Sequence, residues 1–123
     1  MMTAAVLMTI GRLVFGAFFA IAGVRNLVAF GDRRKLSTNY GWKLPASIMA
    51  AGFVVQLAGG LALMAGVWVM PAAVLLIGFL IIATSLYHNP FLFRGKERDP
   101  HLYLTLVNIT LAAGLLMVMA NAA

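Results

Sequence analysis

The chain has no cysteine among its 123 residues. Disulfide chemistry, thiol catalysis and cysteine-ligated metal centres are therefore excluded, and with them the four-helix quinone reductases and oxidases that work through paired thiols. Acid is almost as scarce: Asp32, Glu97 and Asp99 are the only carboxylates. None falls in an apolar run, so no intramembrane carboxylate can carry protons, which counts against a four-helix multidrug exchanger. No Ser-His-Asp arrangement, phosphate loop or metal-ligand cluster is visible. Charge as a whole is low, at 10% of residues against about 25% in a soluble domain. Hydrophobic residues make up 63%, and the mean hydropathy is +1.00. Such a chain cannot cover a water-facing surface. The lipid bilayer is its expected environment.

Four long apolar runs supply the architecture. The pattern predicts an all-α integral membrane bundle of four transmembrane helices, at about residues 4–30, 45–69, 71–87 and 101–120, in a single domain spanning 1–123. The first run lacks the basic start of a secretory signal peptide and is too long for one, so it is read as a retained helix. Pro45 and Pro71 suit first turns. Asn89-Pro90 stops the third helix, and Asp99-Pro100 opens the fourth. Tyr40, Trp42 and Trp68 suit membrane–water interfaces.

The second helix organises the rest. From Met49 to Met70 it is apolar except for Gln56. Gly52, Gln56, Gly59, Leu63 and Gly66 recur at steps of four and three, which places them on one helical face. Glycines in a soluble helix each cost up to about 1 kcal/mol relative to alanine. In a bilayer they let a neighbouring backbone approach closely. Gly52, Gly59, Gly60 and Gly66 are the expected packing positions.

The net charge of +6 does not point to nucleic acid, because seven of the nine basic residues lie in two short loops, 31–45 and 88–101. The positive-inside rule puts these loops in the cytoplasm and both termini outside. The cluster Arg33, Arg34, Lys35 and Lys43 reads first as a topology signal. Anionic-lipid binding is the sharper alternative.

Helix rise then sorts the polar residues. Arg25, Asn26, Gln56, Thr84, Ser85, His88, His101, Thr105 and Asn108 all fall in the half of the bundle that faces the two basic loops. Buried polar groups in hydrocarbon need partners, so these should turn inward. One reading is a hydrogen-bond network that sets helix register, worth about 0.6 kcal/mol per contact. The other is a pocket for a small polar head, with Arg25, Gln56 and Asn108 lining it and His88 and His101 at its mouth. Arg12 and Arg25 can instead snorkel to headgroups. Haem ligation by the two histidines is not expected, since both lie at the interface.

These residues also carry a resemblance. Arg12-Leu13-Val14 followed by Ala22-Gly23-Val24-Arg25, then Pro45, then Gln56 with Gly59-Gly60 and Gly66, then Asn108 before Ala112-Ala113-Gly114, resembles the DoxX family of small four-helix bacterial membrane proteins. The family commonly has glutamate where this chain has Gln56, so an amide stands in place of an acid. The family takes its name from a subunit of an archaeal thiosulfate:quinone oxidoreductase. The resemblance implies a bacterial inner-membrane protein near quinone chemistry: a non-catalytic subunit or anchor, with a soluble oxidoreductase or further copies of itself as partners. A small-molecule channel or carrier is the alternative.

Overall fold

A computed structural model describes residues 3–122. Thr3 caps the first helix, α1 (Ala4–Val28), its hydroxyl accepting from the Val6 N–H at 3.2 Å. The chain breaks at Ala29 and makes one more helical turn, α2 (Phe30–Arg33). The Phe30 ring meets Phe53 edge-on, which holds α2 against the next long helix.

That helix, α3 (Ala46–Ala65), starts after Pro45 and is shorter than the apolar run predicts. Gly66 ends it, in the left-handed region at φ 73°. The N–H groups of Gly66 and Val67 both turn back to the Ala62 carbonyl, at 2.9 and 3.1 Å. Two corrections follow. The helix stops at Ala65 and not at 69, and Gly66 is a C-terminal stop and not a member of the packing face. Glycine serves here because a Cβ disfavours left-handed backbone. Trp68 is left-handed too, at φ 52°, and the chain re-enters a helix at once: α4 (Val69–Tyr87), with Pro71 inside its first turn. Two 3-10 turns, Pro90–Leu92 and Gly95–Glu97, lead to α5 (Arg98–Ala122).

The four long helices, together with the turns flanking α4 and α5, are long and apolar enough to cross a membrane, and no strand occurs among the described residues. α1 packs most closely on α3, α3 on α4, and α4 on α5. The α1–α3 seam is backbone on backbone. A Cβ placed on Gly60 would stand 2.6 Å from the Gly16 carbonyl oxygen, and one on Gly23 would stand 2.6 Å from the Leu57 nitrogen. Gly59 and Gly52 face α4 instead, against Leu76 and Phe79. The glycines of α3 therefore serve two neighbours. α1 and α5 meet where the Phe15 ring lies over Gly114. Phe19, Leu63, Leu76 and Leu115 are fully buried at the centre. Large apolar side chains such as Val14, Ile21, Ile82 and Leu116 cover the outside, which suits lipid.

Candidate functional site

The helix stripe that packs α1 on α3 also decides which polar side chains enter the bundle. Gly16, Ala20 and Gly23 must face α3, and both Arg12 and Asn26 continue that stripe at steps of four and three. At the loop end, Asn26 Nδ2 donates to Gln56 Oε1 at 2.8 Å. Gln56 lies roughly 15 Å along α3 from its start and is 6% exposed. Its own amide N–H groups have no protein partner among the described residues. Across the bundle, Asn108 Nδ2 on α5 donates to Thr84 Oγ1 on α4, also at 2.8 Å. The Asn108 carbonyl oxygen stays available as an acceptor.

The two histidines meet where α4 ends and α5 begins. Their Nδ1 atoms are 3.1 Å apart, so one ring donates and the other accepts. Phe93 stacks on His101, with ring centroids 3.8 Å apart and planes 9° from parallel. Thr105 Oγ1 lies 2.7 Å from the His88 carbonyl and 2.8 Å from the His101 carbonyl. A hydroxyl carries one proton, so it divides that proton between the two acceptors or alternates between them. Loop residues 34–45 close over the same end. Asn39 N–H donates to the Leu86 carbonyl at 2.7 Å, and Asn89 Nδ2 donates to the Tyr40 hydroxyl at 3.3 Å.

These elements line a partly open cavity of about 1050 Å³. Asn26, Gln56, Asn108, His88 and His101 all line it, among apolar residues such as Phe19, Phe53 and Phe79. Four of the five residues singled out from the sequence are thus brought together. Arg25 is not: its side chain is exposed and lies outside the cavity lining. The reason is helical phase. One residue turns a helix by about 100°, and the Gly16–Ala20–Gly23 stripe spends the inward position on Asn26. That register was present in the sequence as a second small-residue stripe.

Arg12 does something different from snorkelling. Its Nε donates to the Leu63 carbonyl at 2.8 Å, in the last turn of α3. A guanidinium there adds a second, shorter bond to a carbonyl that otherwise accepts only from the Gly66 N–H at 3.3 Å, and it opposes the negative end of the helix dipole. Gly66 gives it room, since a Cβ at that position would come within 2.8 Å of Arg12 Nη2. Arg12 lines a second, smaller cavity of about 470 Å³ at the other end of the bundle, with Trp68 and Asn121.

Three more side chains belong to the loop-end cavity and carry no periodic signal in the sequence: Arg33, Asn39 and Tyr87. Two sit in or beside the loop, where side-chain direction follows tertiary contacts and not a helical repeat. Among the described residues, no group of three or more histidine or acidic side chains is placed to hold a metal ion.

Chemically, the loop-end cavity offers hydrogen-bond donors and acceptors on an apolar wall, with no carboxylate lining it. It is suited to hold a polar head. No curated protein and no solved structure matches the chain. A family model, DoxX, matches residues 7–89, from early α1 to the end of α4, and so takes in Arg12, Asn26, Gln56 and the glycines of both seams. With that match over more than half of its length, the chain belongs to the DoxX family.

Proposed function

We propose that the chain is a non-catalytic membrane subunit of a redox assembly and that its loop-end cavity receives the oxygen-bearing head of a quinone-class lipid. The observation that carries this reading is Gln56, a buried amide at the cavity wall whose acceptor is occupied by Asn26 and whose donors have no partner among the described residues. A quinone carbonyl takes such a donor, and the Asn108 carbonyl oxygen takes the hydroxyl of the reduced form. An amide at position 56 does this without acid–base chemistry, in keeping with a holding role. The channel or carrier alternative has less support, because Phe19, Leu63, Leu76 and Leu115 are fully buried at the centre of the bundle.

The test is purification in a mild neutral detergent, followed by solvent extraction. A membrane quinone should co-purify near one equivalent, and Gln56→Leu should lose it. A soluble oxidoreductase should co-purify with the wild type. Repeated recovery of the chain alone, without quinone, would refute the proposal. The orientation proposed with it places the basic loops 31–45 and 88–101 in the cytoplasm. A reporter fused at Ala123 should then read periplasmic or extracellular, and one inserted in the 31–45 loop cytoplasmic.

A further inference from the structure

Arg33 Nε, Asn39 Nδ2 and the Tyr87 hydroxyl are buried and have no hydrogen-bond partner among the described residues. All three residues line the loop-end cavity. Their placement has a structural cause. Arg33 ends α2, which the Phe30–Phe53 contact holds against α3. The backbone bond from Asn39 to Leu86, the residue before Tyr87, brings Asn39 to the end of α4.

The chemistry of the three is one-sided. A guanidinium N–H and an amide NH₂ can only donate, and a phenol can donate. A buried donor left unsatisfied costs about 1–3 kcal/mol, and a charged one more. The protein supplies no acid for them: Asp32, Glu97 and Asp99 are all exposed, and none lines the cavity. What completes such a set is an oxygen acceptor with negative charge. Apart from the amides and histidines already described, the rest of the cavity is largely apolar, and its lining continues to the exposed residues Ile48, Val74, Leu75 and Ile82 of α3 and α4. A chain of methylenes suits that wall. Its volume, about 1050 Å³, stands at the top of the range of about 300–1,000 Å³ for small-molecule sites.

We propose that the loop end of this cavity binds an amphiphile with an oxyanion head, a carboxylate or a phosphate. Arg33 is its charge partner, Asn39 and Tyr87 are its neutral donors, and its tail lies along the apolar wall. This goes beyond the redox reading and is separable from it, because the assay below contains no quinone.

The full-length chain in a neutral maltoside detergent is titrated with dodecanoate, dodecyl phosphate or dodecanol, and binding is read by native mass spectrometry. One equivalent of either anion should bind, and dodecanol about tenfold or more weaker, as expected for loss of charge-assisted hydrogen bonds. The preferred anion identifies the source, a fatty acid or a phosphate-bearing lipid. Arg33→Gln should weaken both anions about tenfold or more, and Tyr87→Phe by a few-fold. Arg34→Gln, an exposed neighbour of like charge, should change neither. Because Arg33 Nε and Tyr87 Oη have no protein partner to lose, neither variant should lower the melting temperature of the ligand-free protein. Should Arg33→Gln nevertheless not fold, Tyr87→Phe carries the test alone. Equal binding of dodecanol, an equal loss in Arg34→Gln, or full displacement by millimolar inorganic phosphate would each overturn the proposal.

Discussion

Replacing Gly60 by alanine adds one methyl group to the tightest seam in the bundle. That methyl would stand 2.6 Å from the Gly16 carbonyl oxygen and 3.0 Å from Ala20 Cα, and closer still to the Ala20 nitrogen. Every one of these atoms is backbone, so none can rotate away. Ordinary contact begins near 3.4 Å. Restoring it for the tightest of these contacts requires α1 and α3 to part by roughly 1 Å, a gap that forfeits a quarter to a half of each dispersion contact along the seam. Overpacking of this kind costs about 1–3 kcal/mol. Against it stands the helix preference of alanine, up to about 1 kcal/mol. Gly78→Ala and Gly11→Ala provide the matched controls, because a Cβ at either position meets nothing within 4 Å. They gain the same preference with no steric cost. The difference between Gly60→Ala and Gly78→Ala should therefore isolate the packing term, about 1–3 kcal/mol, or roughly 5- to 150-fold in the folded-to-unfolded ratio. Gly52→Ala should fall between them, since its Cβ would lie 3.2 Å from the rim of the Phe79 ring, which can tilt. Unfolding in mixed micelles with increasing dodecyl sulfate, followed by circular dichroism, measures all four variants. A Gly60→Ala protein as stable as Gly78→Ala would refute the backbone-contact account of the α1–α3 seam.

A double-mutant cycle between Asn26→Leu and Gln56→Leu should give a coupling of about 0.6 kcal/mol, the usual scale for amide contacts in membranes. The same cycle between Arg25 and Gln56 should give none, and a sizeable Arg25 coupling would contradict its outward placement. Arg12→Met removes the charged donor to the Leu63 carbonyl, leaving only the longer bond from the Gly66 N–H, and should cost about 1–2 kcal/mol. Hydrogen exchange at Gly66 and Val67 should speed up in that variant; unchanged exchange would argue against a capping role. Gly66→Ala forces a side chain into left-handed backbone and toward the Arg12 guanidinium. It should destabilise by about 1–2 kcal/mol, and a neutral result would show that the stop of α3 does not depend on glycine.

The resemblance to DoxX proteins, read from short motifs around Arg12, Gly23, Gln56 and Gly59-Gly60, is matched by the family model over residues 7–89. The four-helix all-α architecture likewise agrees with the structure. Both were legible because they rest on local chemistry: long apolar runs, prolines at helix starts and the near absence of acid do not depend on which way a helix is turned. Rotational phase is another matter. A single face through Gly52, Gly59 and Gly66 satisfied the helical repeat on its own, yet the structure turns Gly52 and Gly59 to α4, gives the α1 seam to Gly60 and makes Gly66 a helix stop. Arg25 and Asn26 are equally polar and adjacent, and only the packing of Gly16, Ala20 and Gly23 against α3 puts the amide inside and the guanidinium outside. Arg12 looked like a charge in search of a headgroup until the end of α3 was placed beside it. Arg33, Asn39 and Tyr87 come from a loop and two helix ends, and the backbone bond from Asn39 to Leu86 that helps gather them joins residues far apart in the chain. Composition and periodicity determined that the chain forms four apolar helices. Which side chains share a cavity was decided by the packing between those helices, because a helical repeat sets the spacing of residues on a face but not the neighbour that the face will meet.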